Sequence, residues 1–277
     1  MNKIISFLFY LYASYLPLPV RKPINRVYHF IQKLTSPIKS GLDDVRQRRK
    51  IQNSLLIKNP EETVEDYQGL VRAISLPEAD SPVASVIVCV YGKLNYTVNC
   101  LYSLLTFANS VPFEVIVIDD CSDDETGHIL PAIKGVRYFR NEANLGFLLS
   151  SNRGAEQARG RYVVFLNNDT FVCDHWLDSL IHFLERTEGA GLAGSKLIYP
   201  DYTLQEAGGF IFADGTAVNF GRGDRPSLMQ YSYSRETDYC SGASIAISKE
   251  LFFTIGKFSE KYAPCYYEDT DLAFKVR

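Results

Sequence analysis

Asn167, Asn168, Asp169 and Thr170 close the run RYVVFLNNDT (161–170), so two amides, a carboxylate and a hydroxyl follow directly on the apolar stretch Tyr162–Leu166. The apolar part predicts a strand covered on both faces, and its polar end offers ligands for something polar. A second acidic group lies near the end of the sequence in YYEDTDLAFKVR, where Glu268, Asp269 and Asp271 follow the aromatic pair Tyr266 and Tyr267. Carboxylates so placed can take a proton from an attacking hydroxyl, or can fill the first turn of a helix.

The elements that must position these groups alternate regularly. After the Pro-punctuated LPEADSPV, strands are predicted over 84–91, 113–120, 135–141 and 161–169, separated by helices over 94–108, 125–133 and 146–158. Strand and helix in turn mean βαβ units and a mostly parallel sheet. Right-handed crossovers bring the carboxyl ends of such strands to one rim, where open α/β folds bind their ligands. That rim collects Val90, Tyr91 and Gly92, Asp119 and Asp120, Asn141 to Asn144, and Asn167 to Thr170.

With 277 residues, 46% of them hydrophobic, the chain can bury one large core plus an appendage. Charge divides it: residues 1–58 hold 11 Lys+Arg against 2 acids, whereas the rest hold 18 against 30. Residues 1–80 are therefore read as an N-terminal apolar and basic, partly helical segment, and 81–277 as the domain carrying the chemistry. Ile4–Val20 is apolar but broken by Pro17 and Pro19, marginal for a membrane span, and followed by Arg21, Lys22, Arg26 and the run RQRRK. The pattern suits peripheral attachment to an anionic membrane surface on the cytoplasmic side, or an amphipathic helix packed on the domain. Six cysteines without C-x-x-C spacing argue for a reducing compartment and against a zinc site. No G-x-G-x-x-G follows a strand and no P-loop occurs, which sets aside two common nucleotide folds. D-x-D-x-T after the first strand, as a dehalogenase-like phosphatase needs, is also missing.

Five ordered blocks carry a resemblance: ASVIVCVYGKLNYTVNCLYSLL, EVIVIDDCSDDET, RNEANLGFLLSSNRGAEQARGRYVVFLNNDT, LQEAGG, and the stretch from DYCSGAS to EDTDLAFKVR. Together they resemble family 2 glycosyltransferases over residues 83–277. The resemblance implies a GT-A fold, Rossmann-like with helices on both faces of the sheet. It also implies a nucleotide-diphosphate sugar donor, Mg²⁺ or Mn²⁺, and inversion at the anomeric carbon. Carried onto this chain, Val90, Tyr91 and Asp120 would hold base and ribose, with Asn144, Gly146, Asn152 and Asn168 bordering the donor pocket. Asn167 and Asp169 stand where the family has its metal-binding D-x-D motif. Asn167 offers only a neutral carbonyl there, so the substrate phosphates are expected to hold most of the cation. By the family pattern Asp269 is the base, Glu268 orients the acceptor hydroxyl, and Ser241 and Gly242 approach the acceptor sugar.

The implied partners are the donor and a saccharide or lipid-linked acceptor in surface polysaccharide synthesis, with no nucleic acid. NLGF with LNNDT leans toward dTDP-rhamnose-like donors. Relatives of this kind continue past the EDTDLAFKVR block with a strand and a metal-binding histidine, so the sequence is expected to be a fragment. The alternative is a non-catalytic nucleotide-sugar-binding module. Plainer roles also fit some residues: Asp271 as a helix cap, Asp119 and Asp120 as turn formers, Ser241 and Gly242 as a bulge, and His175 and Trp176 as the opening of a helix.

Overall fold

The computed structural model describes residues 45–61 and 67–277; the expectations for Ile4–Val20 and its basic flank lie outside them. Helix α1 (45–54) and helix α2 (Tyr67–Arg72) precede the regular alternation. β1 (Ala84–Val90), α3 (Leu94–Thr106), β2 (Phe113–Asp119), α4 (Thr126–Ile129), β3 (Val136–Arg140), α5 (Gly146–Gln157) and β4 (Tyr162–Leu166) follow as expected. Beyond them come α6 (Trp176–Arg186), β5 (Leu192–Gly194), the hairpins β6 (Leu197–Ile198)–β7 (Leu204–Glu206) and β8 (Gly209–Ile211)–β9 (Ala217–Asn219), β10 (Ser244–Ser248), α7 (Lys249–Thr254) and α8 (Glu268–Val276).

The six-stranded sheet runs β3-β2-β1-β4-β10-β5. β3, β2, β1 and β4 pair in parallel, and β10 enters antiparallel between β4 and β5. Side chains of a strand alternate between faces, and here both faces are buried. Val86, Val88, Val115, Val117 and Val164 join one core with Leu101 of α3 and Leu177 and Ile181 of α6. Their neighbours Ile87, Ile116, Ile118, Val163 and Phe165 join a second core with Leu148 of α5, Phe252 of α7 and Leu272 of α8. This explains the unbroken apolar runs VIVCV, VIVI and YVVFL: a strand between two helical layers has no wet face.

At the opposite end of the strands from the rim, buried Glu114 is held by Ser85 Oγ (2.6 Å), Arg159 N–H (2.7 Å) and Arg137 (2.7 Å). Burial pushes its carboxyl up, but these donors outweigh it and leave the pKa below the ordinary value.

The expected division at residue 80 does not divide the core. Ile57, Val71, Ile74 and Leu76 are buried in the first cluster, and the side chain of Asn99 bonds both N–H and C=O of Ile57 at 2.9 Å. Residues from about 57 onward thus share the first core, tied to α3 through Asn95 and Asn99 and to the turn before β3 through Leu76. Among the described residues, no helix is long and apolar enough to cross a membrane.

Candidate active site

The strand ends meet as anticipated. Asp120 N–H donates to Val90 O at 2.8 Å and Asn141 N–H to Asp119 O at 2.8 Å, so the ends of β1, β2 and β3 are laced into one rim. Asp119 is fully buried and accepts from Ser122 N–H at 2.8 Å, from Tyr138 O–H and from the Arg140 guanidinium. Burial pushes its carboxyl up, yet Ser122, Tyr138 and Arg140 together hold it below the ordinary value. It is therefore a structural anion under the rim. Asp120 accepts from Asn141 Nδ2 (2.6 Å), Leu145 N–H (2.8 Å) and Gly146 N–H (2.7 Å). A carboxylate offers roughly four acceptor directions, so at most one remains for a ligand. Its first task is to fix the turn into α5, where Gly146 has φ 79°, a conformation open to glycine. Asn144 is exposed on this turn, its Oδ1 accepting from Gly146 N–H at 3.1 Å. Val90 is buried, and Tyr91 after it is 56% exposed. Gly92 N–H is anchored to Ser122 Oγ at 2.8 Å.

Asn152 holds backbone. Its Nδ2 donates to Phe258 O at 2.9 Å, and its Oδ1 accepts from Phe258 N–H at 3.1 Å, with both residues buried. The amide mimics a backbone strand and clamps the segment before α8 to α5. The expected cap at Asp271 is also replaced. α8 begins at Glu268 behind Tyr267, and Asp271 pairs with Lys275 at 2.6 Å one turn on. His175 and Trp176 do open α6: His175 pairs with Asp178 at 3.1 Å, and Trp176 Nε1 bonds Ser195 and Ser244.

At the end of β4 the chain turns sharply, Thr170 N–H and Oγ1 both returning to Asn167 O. Asn168 Nδ2 donates to Thr97 Oγ1 at 3.0 Å. Asp169 stands exposed at the tip, and among the described residues no hydrogen bond occupies the side chain of Asn167 or Asp169. Their side-chain oxygens are hard donors, that of Asp169 at an exposed position. They fit a hard divalent cation whose remaining ligands are phosphate oxygens. No group of three or more His, Cys, Asp and Glu able to hold a metal by itself occurs among the described residues.

The acidic N-terminus of α8 lies beside this turn. Asn167 N–H donates to Ala243 O at 3.0 Å, and Gly242 N–H, one residue earlier, donates to Asp269 Oδ2 at 3.0 Å. Two hydrogen bonds and one peptide thus connect the backbone carrying Asp169 to the Asp269 carboxylate. Asp269 Oδ1 accepts from Thr270 N–H at 2.7 Å, and Asp269 is only half-buried. A Cβ added at Gly242 would lie 3.5 Å from Phe147 and 3.7 Å from Asp269 Cβ. The turn into α5, the 241–243 turn and the start of α8 therefore border one space.

Glu268 is buried, and its Oε2 has no hydrogen-bond partner among the described residues. Burial first, and then the charge of Asp269, push its carboxyl up. Glu206 and Phe147 are additions that the sequence did not assign. Glu206 accepts from Ser241 N–H at 3.0 Å, and its presence in LQEAGG, an acid inside a short strand before paired glycines, was the available signal.

Comparison with known proteins bears on this geometry. A profile of glycosyl transferase family 2 matches residues 85–256. The uncharacterized protein y4gI of Sinorhizobium fredii is 29% identical over 73% of this chain and 23% of its own length. The O-antigen biosynthesis protein RfbC of Myxococcus xanthus is 28% identical over 73% of this chain and 16% of its own. The chain thus spans less than a quarter of these two relatives. Among solved structures, GalNAc-T7 with UDP, GalNAc and Mn²⁺ is similar with a TM-score of 0.54 at 16% identity, covering 72% of this chain and 41% of that one.

Proposed function

We infer the activity from a premise that the matched residues establish: the chain belongs to glycosyl transferase family 2. The chain transfers a sugar from a nucleotide-diphosphate donor to a hydroxyl of a saccharide or lipid-linked acceptor, with inversion, in surface polysaccharide synthesis. The observation that carries this reading is the short hydrogen-bonded path from the Asp169 turn through Ala243 and Gly242 to Asp269. This path supports a cation-ligating tip and a proton-accepting carboxylate acting on one space, as an in-line displacement requires. The O-antigen role of the Myxococcus relative supports the polysaccharide setting.

Asp269 takes the proton from the acceptor hydroxyl as it attacks. Its Oδ2 is steadied by Gly242 N–H and its Oδ1 by Thr270 N–H, which leaves the outward lone pairs for the acceptor. Glu268, buried with Oε2 free of partners among the described residues, is suited to accept a hydrogen bond from the acceptor hydroxyl and so orient it. The 241–242 backbone lies under the acceptor sugar. On the donor side, Tyr91 offers an exposed ring against the base, and Asp120 holds the Asn144–Gly146 turn that borders the diphosphate. Asn167, Asn168 and Asp169 face the phosphates, with Asp169 and the Asn167 carbonyl as ligands of Mg²⁺ or Mn²⁺. When bound, such a cation neutralises charge gathering on the departing diphosphate. The basic N-terminal segment tethers the enzyme to the cytoplasmic membrane surface.

The test incubates the chain, extended at its C-terminus where a longer protein exists, with UDP-, GDP- and dTDP-sugars, Mg²⁺ or Mn²⁺, and lipid-linked acceptors. Metal-dependent appearance of the nucleoside diphosphate with an inverted linkage supports the reading. Saturable donor binding by calorimetry without turnover on any acceptor would favour the non-catalytic module.

A further inference from the structure

Glu206 is a carboxylate in an unlikely place. It ends β7 at 1% exposure, where an apolar side chain would fill the volume without the cost of burying a charge. Its Oε1 accepts Ser241 N–H at 3.0 Å, and the next amide along the chain, Gly242 N–H, is the donor to Asp269 Oδ2. Two buried or half-buried carboxylates from different elements thus grip consecutive amides of one turn. The same turn is closed on itself by Ser244 N–H to Ser241 O at 3.3 Å and reaches β4 through Ala243 O.

Because each peptide unit is planar, the direction of Gly242 N–H depends on the torsions on either side of Ser241. Holding Ser241 N–H removes part of that freedom. We infer that Glu206 is a positioning residue for Asp269: it clamps Ser241 so that Gly242 N–H stays aimed at Asp269 Oδ2. The inference rests on the assignment of Asp269 as base for its catalytic consequence, but its geometric content stands apart. The carboxyl of Glu206 is pushed up by burial and by the charge of Asp269, against the pull of Ser241 N–H, as expected for two acids facing one short turn.

The experiment compares the full chain with Glu206→Met, which keeps volume and removes the acceptor, and Glu206→Gln, which keeps an Oε1 acceptor. Amide hydrogen exchange at Ser241 and Gly242 and steady-state kinetics are both read. In the Met variant, exchange at both amides should quicken by about tenfold or more as the turn opens locally. Its kcat should fall by about 10- to 100-fold with donor KM within about twofold. The Gln variant should restore protection at both amides and most of kcat. Gly242 remaining as protected in the Met variant as in the parent would overturn the inference, and so would a Gln variant as defective as the Met one. If the Met variant does not fold, Glu206→Ala carries the same expectations. A parent without turnover strikes at the Asp269 assignment alone, since the exchange of Gly242 still decides this one.

Discussion

Asn152→Ala separates a structural from a ligand-binding role at a position where the sequence suggested the latter. The substitution removes both hydrogen bonds to Phe258, a residue 1% exposed, and leaves one N–H and one C=O dry and unpaired. Each unmet buried group costs about 1–3 kcal/mol, so the total destabilisation is about 2–6 kcal/mol before any cavity is counted. With a urea m-value of about 2–3 kcal/mol/M for a chain of this size, the unfolding midpoint falls by roughly 1–3 M with m unchanged. Asn152→Asp keeps the acceptor for Phe258 N–H but sets a carboxylate against Phe258 O, so it should be no better. Urea denaturation followed by fluorescence measures both, and donor KM is measured below the transition. The reasoning is refuted if the alanine midpoint moves by less than about 0.3 M or if donor KM rises while the midpoint holds.

Glu114→Gln should lower stability near neutral pH by about 1–3 kcal/mol, through loss of charge-assisted bonds to Arg137 and Arg159 N–H. The sign follows from its depressed folded pKa: the stabilisation is present above the unfolded value of about 4.3 and is lost as pH falls through the lower folded one. Denaturation midpoints across that acid range should thus fall less steeply in the variant than in the parent. Gly154→Ala, on α5 over the sheet, would set a Cβ 2.4 Å from Ile87 Cγ2 and 3.2 Å from Ile118 Cγ1. Thermal melts should show a loss of about 1–3 kcal/mol from this overpacking, against the gain that alanine ordinarily brings inside a helix.

The parallel part of the fold was legible because two periodicities alternate: the doubly buried strands read as unbroken β-branched runs, and the helices between them do not. The antiparallel entry of β10 between β4 and β5 was not legible, since it depends on pairing between residues far apart in sequence. Nor was the docking of Ile57 and Leu76, whose segment looked separate by charge but joins the first core. At the site, Asp169 and Tyr91 are exposed at strand ends that the apolar runs before them marked. Asn152 misled because a buried amide serving backbone and one serving a ligand look identical in sequence. Asp271 misled because the helix begins three residues earlier, with Asp269 rather than Asp271 bonding an early backbone N–H. Glu206 went unassigned because its partner amides lie in another block and only the fold makes them consecutive neighbours of two acids.

We propose that Asp269 works on the same bound donor and acceptor that the Asp169 turn holds. The most direct measurement is Asp269→Asn kinetics beside calorimetric binding of the nucleoside diphosphate with its cation. The account predicts a kcat lower by about 10²–10⁴-fold, the range for loss of a positioned base, with nucleotide affinity within about twofold of the parent. Turnover undiminished by the substitution, or nucleotide binding lost together with it, would contradict the account.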